Sequence, residues 1–410
     1  MKFLIIIKQF YVDLRKQRLR TFLTTFGIVW GTVATVFLSA FGEGLYRQAE
    51  TSFKGMGDAL VIVWPGNTAK PYKGLPKGRW IRFVDEDAQL LKREIPYITM
   101  ASTEYNGSGP MTKGRKNVTQ DINGVSPEYG IIRNIIPEPG GRFINQNDFE
   151  YRKRVVVLGT KVRDEIFGQG VNPVGQYITL KGAPFLVIGV MKQKIQNSSY
   201  NGRDERRVFI PSSTFKTIFK RNYPNNMVYQ VSNPEYTLFI QKKVYEVLGR
   251  KYSFDPEDKE ALGIWDTNET VKEMKPFFEG LKIFLAIIGV FTLMVGGIGT
   301  ANIMFVVVKE RTKEIGLKMA MGATRGYVMA QIICESIFIA AIGGLVGFAI
   351  AKGFEKLFPI FKLEEYIGTP VVAFKSAVIT VSIIGLLGLM AGYFPARRAA
   401  HLNPVEALKL

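Results

Sequence analysis

The stretch Phe284–Val308, FLAIIGVFTLMVGGIGTANIMFVVV, is 25 residues long and carries no charge. At 1.5 Å rise per residue it crosses a hydrocarbon core of about 30 Å with some tilt. A buried helix of a soluble enzyme rarely runs this long without a charge. Immediately after it comes KERTKEIGLKMAMGATR, Lys309–Arg325. An apolar span followed by a short basic run is the pattern of a helix emerging on the cytoplasmic side. The chain therefore reads as an integral membrane protein.

Three further stretches have the same character. Thr21–Gly42 is uncharged over 22 residues, Tyr327–Ala351 carries only Glu335, and Ser376–Phe394 is a 19-residue apolar run. The first is longer than a signal-peptide core of about 7–15 residues and lacks a small-x-small cleavage site, so it reads as an uncleaved helix. Before it, Leu4, Ile7, Tyr11 and Leu14 recur at helical spacing among Lys8, Arg15, Lys16, Arg18 and Arg20. That pattern predicts an amphipathic helix on the membrane surface.

Charge counts set the orientation. Residues 1–20, 309–325 and 395–410 hold six, five and three Lys and Arg, against four in 352–375 (Lys352, Lys356, Lys362 and Lys375). Glu355, Glu364 and Glu365 accompany those four. Both termini are expected in the cytoplasm, an arrangement that needs an even number of spans.

The 410 residues average a mean hydropathy of only +0.08. A few membrane helices plus one large aqueous domain average to such a value. The net charge of +19 is not gathered into one stripe, and many basic residues flank apolar spans. This placement fits topology and anionic lipid heads rather than nucleic acid. One cysteine, Cys334, excludes an intramolecular disulfide, and one histidine, His401, leaves no material for a Ser-His-Asp triad or a multi-histidine metal site.

Residues 43–282 differ in texture. Short Val- and Ile-rich runs are bounded by Gly, Pro and Asn, which predicts an α+β domain. Strands are expected at Ala59–Val63, Tyr97–Ser102, Asn117–Val125, Arg154–Leu158, Tyr177–Leu180, Phe185–Val190 and Arg207–Ile210. Helices are expected at Asp85–Glu94, Thr160–Phe167 and Gln241–Arg250. Lys70–Arg82 and Gln193–Arg207 read as exposed loops, with Arg203, Arg206 and Arg207 available either to solvent or to an acidic partner. The fold expectation is thus a four-helix membrane protein with a large α+β extracytoplasmic domain between helices 1 and 2. Its segments are 1–20, 21–42, 43–282, 283–308, 309–326, 327–351, 352–375, 376–394 and 395–410.

Small residues in GGIGTANIM (Gly296, Gly297, Gly299, Thr300 and Ala301) let membrane helices approach closely. Such a seam lies either within the subunit or between two copies. Glu335, a third of the way into its span, either serves a functional site or fixes packing by a hydrogen bond. No second intramembrane acid or histidine accompanies it as a proton relay.

These residues carry a resemblance. GGIGTANIMFVVVKERTKEIGLKMAMGATR closely resembles the second span and following loop of FtsX-like, MacB-type permeases of ABC transporters. The tail YFPARRAAHLNPVEALKL is similar to that family's end, where a turn at Pro395, Arg397 and Arg398 leaves the last helix. LRTFLTTFGIVWGTVATV resembles its first span. PGGRFINQNDFEYRKRVVVLGTKVRDEIFG and NPVGQYITLKGAPFLVIGV resemble its periplasmic core domain. Thr300, where a bulky aliphatic is common, and Lys318-Met319-Ala320 are mild departures.

The resemblance implies four spans and two paired copies in a bacterial inner membrane. It implies a cytoplasmic ATPase subunit that binds ATP and magnesium and docks on Lys309, Glu310, Arg311, Glu314, Ile315, Gly316, Leu317, Met319, Gly322 and Ala323. A periplasmic adaptor and an outer-membrane channel would complete an exporter of drugs, peptides or lipoproteins. The alternative within the family is a regulator that switches on a cell-wall hydrolase; about 240 residues between spans fit the transport type better. No G-x-x-x-x-G-K-[ST] phosphate loop occurs in the chain. Only 20 residues precede the first span, too few for a fused ATPase, so a separate, non-covalent ATPase is expected.

Overall fold

The computed structural model describes residues 18–361, 368–402 and 407. The amphipathic helix expected over 1–20 lies outside them except for its last three residues, as do Lys362, Glu364 and Glu365. The elements run α1 (Arg18–Met56), β1 (Leu60–Pro65), α2 (Glu86–Glu94), β2 (Ile98–Lys113), β3 (Lys116–Val125), α3 (Tyr129–Ile132), α4 (Gln146–Glu150), β4 (Val155–Leu158) and α5 (Thr160–Phe167). They continue β5 (Tyr177–Leu180), β6 (Ala183–Val190), β7 (Arg207–Pro211), α6 (Ser212–Phe219), β8 (Asn226–Val231), α7 (Thr237–Tyr252), β9 (Leu262–Asp266), α8 (Thr267–Glu310), α9 (Thr312–Ala320), α10 (Arg325–Leu357) and α11 (Phe374–Ala400). Two compact units result: Ala49–Met274, and the residues up to Gln48 together with those from Lys275 onward.

The Ala49–Met274 unit is built on β2, whose 16 residues pair in succession with two sets of strands of one nine-stranded sheet. Ile98–Glu104 pairs with β8, which continues through β1 to β9. From Glu104 to Lys113 the strand pairs with β3 instead, and Met111–Thr112 also pairs with β5. The pairings β3–β7, β7–β4, β4–β6 and β6–β5 then close a six-stranded ring. Tyr105, Met111, Ile122, Val156, Phe185 and Val208 fill its apolar core. On the open sheet the two-residue side-chain period divides β1: Val61 and Val63 join the cluster of Leu91, Ile240 and Val244, while Leu60 and Ile62 join that of Ile132, Val157 and Phe209.

Among the described residues, four helices are long and apolar enough to cross a membrane: Thr25–Met56, Thr267–Glu310, Arg325–Phe361 and Ser376–Ala400. The helices outrun the apolar stretches. α1 continues past Gly42 to Met56 and α8 starts at Thr267, well ahead of residue 283, because charged residues at helical spacing extend both. Hydroxyls within the spans bond carbonyls one turn back: Thr32 to Ile28, Thr300 to Gly296 and Ser336 to Ile332. This satisfies groups that lipid cannot. Thr35 also reaches across to the Gly289 carbonyl at 2.9 Å.

Gly296 lies where α1 and α8 touch: a Cβ there would stand 2.6 Å from the Gly27 carbonyl oxygen. Gly297 packs toward Leu387 of α11. Ala301 is half-buried, and nothing lies within 4 Å of where a Gly299 Cβ would be. So Gly296 and Gly297 build seams within the chain, whereas Gly299 opens onto a groove of about 560 Å³ lined by Phe26, Trp30, Val295 and Ile303.

Candidate functional site

The run read from sequence as a compact basic loop folds as a helix. α8 ends at Glu310, Arg311 adopts φ −91° and ψ 10°, and α9 follows. The main chain stays hydrogen-bonded through the break, Arg311 N–H to Val307 and Ile315 N–H to the Arg311 carbonyl. Thr312 Oγ1 donates to the Lys309 carbonyl at 2.7 Å. At the far end Ala323 N–H bonds the Lys318 carbonyl and Gly322 N–H bonds that of Met319. Gly322 has φ +97°, which a glycine adopts without steric cost. The Thr324 side chain then caps α10 by accepting from Tyr327 N–H. Gly322 thus ends α9, whereas Gly316 lies within it.

α9 has two faces. Ile315 and Gly316 are buried, and Ile315 packs among Met304, Val308, Val328 and Ile332 with Met319 at the edge. Leu317 and Met321 are 51% and 73% exposed. Lys313 and Glu314 are exposed beside them, and Glu314 pairs with Lys318 at 2.9 Å. Lys309 and Glu310 are exposed, and Ala323 is half-buried. The result is a short helix clamped on one side that presents two large apolar side chains within charge on the other.

Glu335 is not isolated in its span. It accepts from Arg311 Nη1 at 3.3 Å and from Gln331 Nε2 at 3.2 Å. At the other end of the chain, α11 runs through Pro395 to Ala400, so the expected turn at Pro395 is helix. Arg397 and Arg398 point outward on its last turns while Ala396 and Ala399 are buried.

A second constellation gave no local signal. In the Ala49–Met274 unit, Arg133 Nη2 donates to Asp204 Oδ1 at 2.7 Å and Lys194 Nζ lies 2.7 Å from Oδ2. The Arg133 guanidinium stands over the Tyr200 ring at 4.7 Å, and Tyr200 O–H donates to Glu104. Ser52 Oγ accepts from the Asn197 and Ser198 amides. These contacts hold the Gln193–Arg207 stretch, which is not the exposed loop expected from the sequence. Of its three arginines, Arg206 is exposed, Arg203 is half-buried, and Arg207 is buried and donates to Asn123.

Residues 21–241 match the family of MacB-like periplasmic core domains, and residues 286–404 match the FtsX-like permease C-terminal domain. The chain is 30% identical over 406 residues to a macrolide export ATP-binding/permease protein of Bdellovibrio bacteriovorus, covering 98% of this chain and 61% of that one. It is 30% identical over 394 residues to a pyoverdine export ATP-binding/permease protein of Pseudomonas savastanoi, covering 96% and 57%. The chain thus spans about three-fifths of the length of these relatives. The solved periplasmic region of MacB from Actinobacillus actinomycetemcomitans aligns over 55% of this chain and 97% of its own, at 20% identity and a TM-score of 0.44.

Proposed function

Because the chain belongs to the family of permeases with a MacB-like periplasmic core and an FtsX-like C-terminal domain, we propose that it is the membrane-spanning component of an ABC exporter whose ATPase is a separate subunit. The observation that carries this reading is α9, clamped by Ile315 and offering Leu317 and Met321. An apolar pair on a short helix suits a hydrophobic groove in a partner. That partner is an ATPase that binds ATP and magnesium. α9 and both termini face the cytoplasm, and the Ala49–Met274 unit lies in the periplasm. A second copy packs in the membrane, where the groove at Gly299 can receive side chains of a facing helix. The moving outer domain expels a drug, peptide or lipoprotein, with an adaptor and outer-membrane channel as its periplasmic partners.

Co-reconstitution with a candidate ABC ATPase subunit tests the reading. Leu317→Asp is the informative variant, since its side chain is exposed and the fold does not depend on it. It abolishes stimulation of the ATPase by the permease. Unchanged stimulation overturns the coupling role. Deleting Lys313–Met319 is a poorer test, because it also removes buried Ile315.

A further inference from the structure

Arg311 is the one residue between α8 and α9. Its main chain continues the hydrogen-bond ladder in both directions, to Val307 and from Ile315. Its side chain leaves both helices and reaches a third. Glu335, the acceptor, lies ten residues into α10, about 15 Å from its start at the α-helical rise. The Glu335 side chain is 9% exposed and that of Arg311 21%. Gln331 Nε2, one turn earlier on α10, donates to the other carboxylate oxygen. Met304, Val308, Ile315, Val328 and Ile332 close an apolar wall beside the pair.

A carboxylate at this depth is costly unless a cation or protein donor faces it, so the pair resists separation. A displacement of α9 passes to α8 through the backbone of Arg311 and to α10 through its side chain. We propose that the Arg311–Glu335 pair is the joint that makes the α8–α9 elbow and α10 move as one body, with Glu335 a positioning residue rather than part of an ion path. The inference rests on the reading of α9 as the ATPase contact, and deepens it by naming where the push divides.

The test uses the full chain in lipid vesicles, with Cys334→Ser to remove the native thiol. Nitroxide labels are placed on Lys313→Cys in α9 and Leu345→Cys in α10, both exposed and neither one of the apolar pair offered to the ATPase. The label-to-label distance distribution is narrow in this parent. It broadens in Glu335→Gln and in Arg311→Gln. It narrows again in the exchanged pair Arg311→Glu with Glu335→Arg, and stays narrow in Arg311→Lys. Equal widths in the parent and Arg311→Gln overturn the joint, and so does an exchanged pair as broad as the single variants. Comparison of Arg311→Lys with Arg311→Gln decides the matter if Glu335→Gln fails to accumulate. Addition of the co-reconstituted ATPase is a separate arm: an unmoved label in the parent overturns the coupling reading, while the distance widths still decide the joint.

Discussion

Arg133 and Asp204 stand 71 positions apart in sequence and meet in a 2.7 Å ion pair with both side chains at most 2% exposed. Lys194 joins from the same segment that carries Asp204. The pair therefore pins an irregular stretch to the body of the Ala49–Met274 unit, with Tyr200 stacked on the guanidinium between them.

Removing one partner strands the other charge in the interior. Asp204→Asn or Arg133→Met destabilises this unit by about 3–5 kcal/mol. Denaturant titration of the full chain in detergent measures it. Trp64, edge-on to Tyr200 at 5.8 Å, reports the loosening of the 191–206 segment.

Acid acts on the same chemistry. Burial raises the pKa of Asp204 and of Asp148, but the Arg133 and Lys194 charges at the first outweigh it, as do the Arg142 hydrogen bond and Asn145 amide at the second, so both end below the ordinary 3.8. A depressed carboxylate contributes stability above its unfolded pKa, and that contribution vanishes as pH falls through the folded value. Near neutral pH both contributions are fully present and do not vary with pH, and the melting temperature drops as pH descends below 3.8. Asp148→Asn lowers the melting temperature at neutral pH and shows a shallower fall in acid than the parent. Parallel curves would contradict the assignment.

Gly296 and Gly299, three residues apart on α8, respond differently. Gly296 meets the Gly27 backbone, so Gly296→Leu forces α1 and α8 apart and reduces the yield of folded chain. Gly299 meets nothing within 4 Å, so Gly299→Leu leaves the subunit folded but fills the groove at Trp30 and Val295. Crosslinking in membranes reads the difference: Gly299→Leu lowers the dimer fraction without lowering the amount of chain. An unaltered dimer fraction removes this groove as the site of pairing.

Much of this architecture was legible because the bilayer imposes long uncharged runs, and those runs mark all four spans. The helix ends were less so. Glu43–Met56 and Thr267–Lys282 prolong α1 and α8 with polar residues that carry no hydropathy signal. Seven strands follow from Val- and Ile-rich runs, but β8 is broken up by Asn226 and Gln230, and β9 by Gly263, so neither stands out from a turn. The double pairing of β2 is a tertiary fact with no sequence period. α9 was obscured by Gly316 and Gly322, of which only the second ends a helix. The Arg133 cluster unites three distant segments, and nothing local distinguishes its members from surface charges.

The most direct measurement places α9 and the β-rich unit relative to the bilayer. In a Cys334→Ser background, Arg115→Cys at the exposed β2–β3 turn and Lys313→Cys on α9 are treated in intact cells with a membrane-impermeant maleimide. The account predicts labelling at residue 115 alone, with residue 313 labelled only after the inner membrane is opened. Labelling of both from the same side would contradict it.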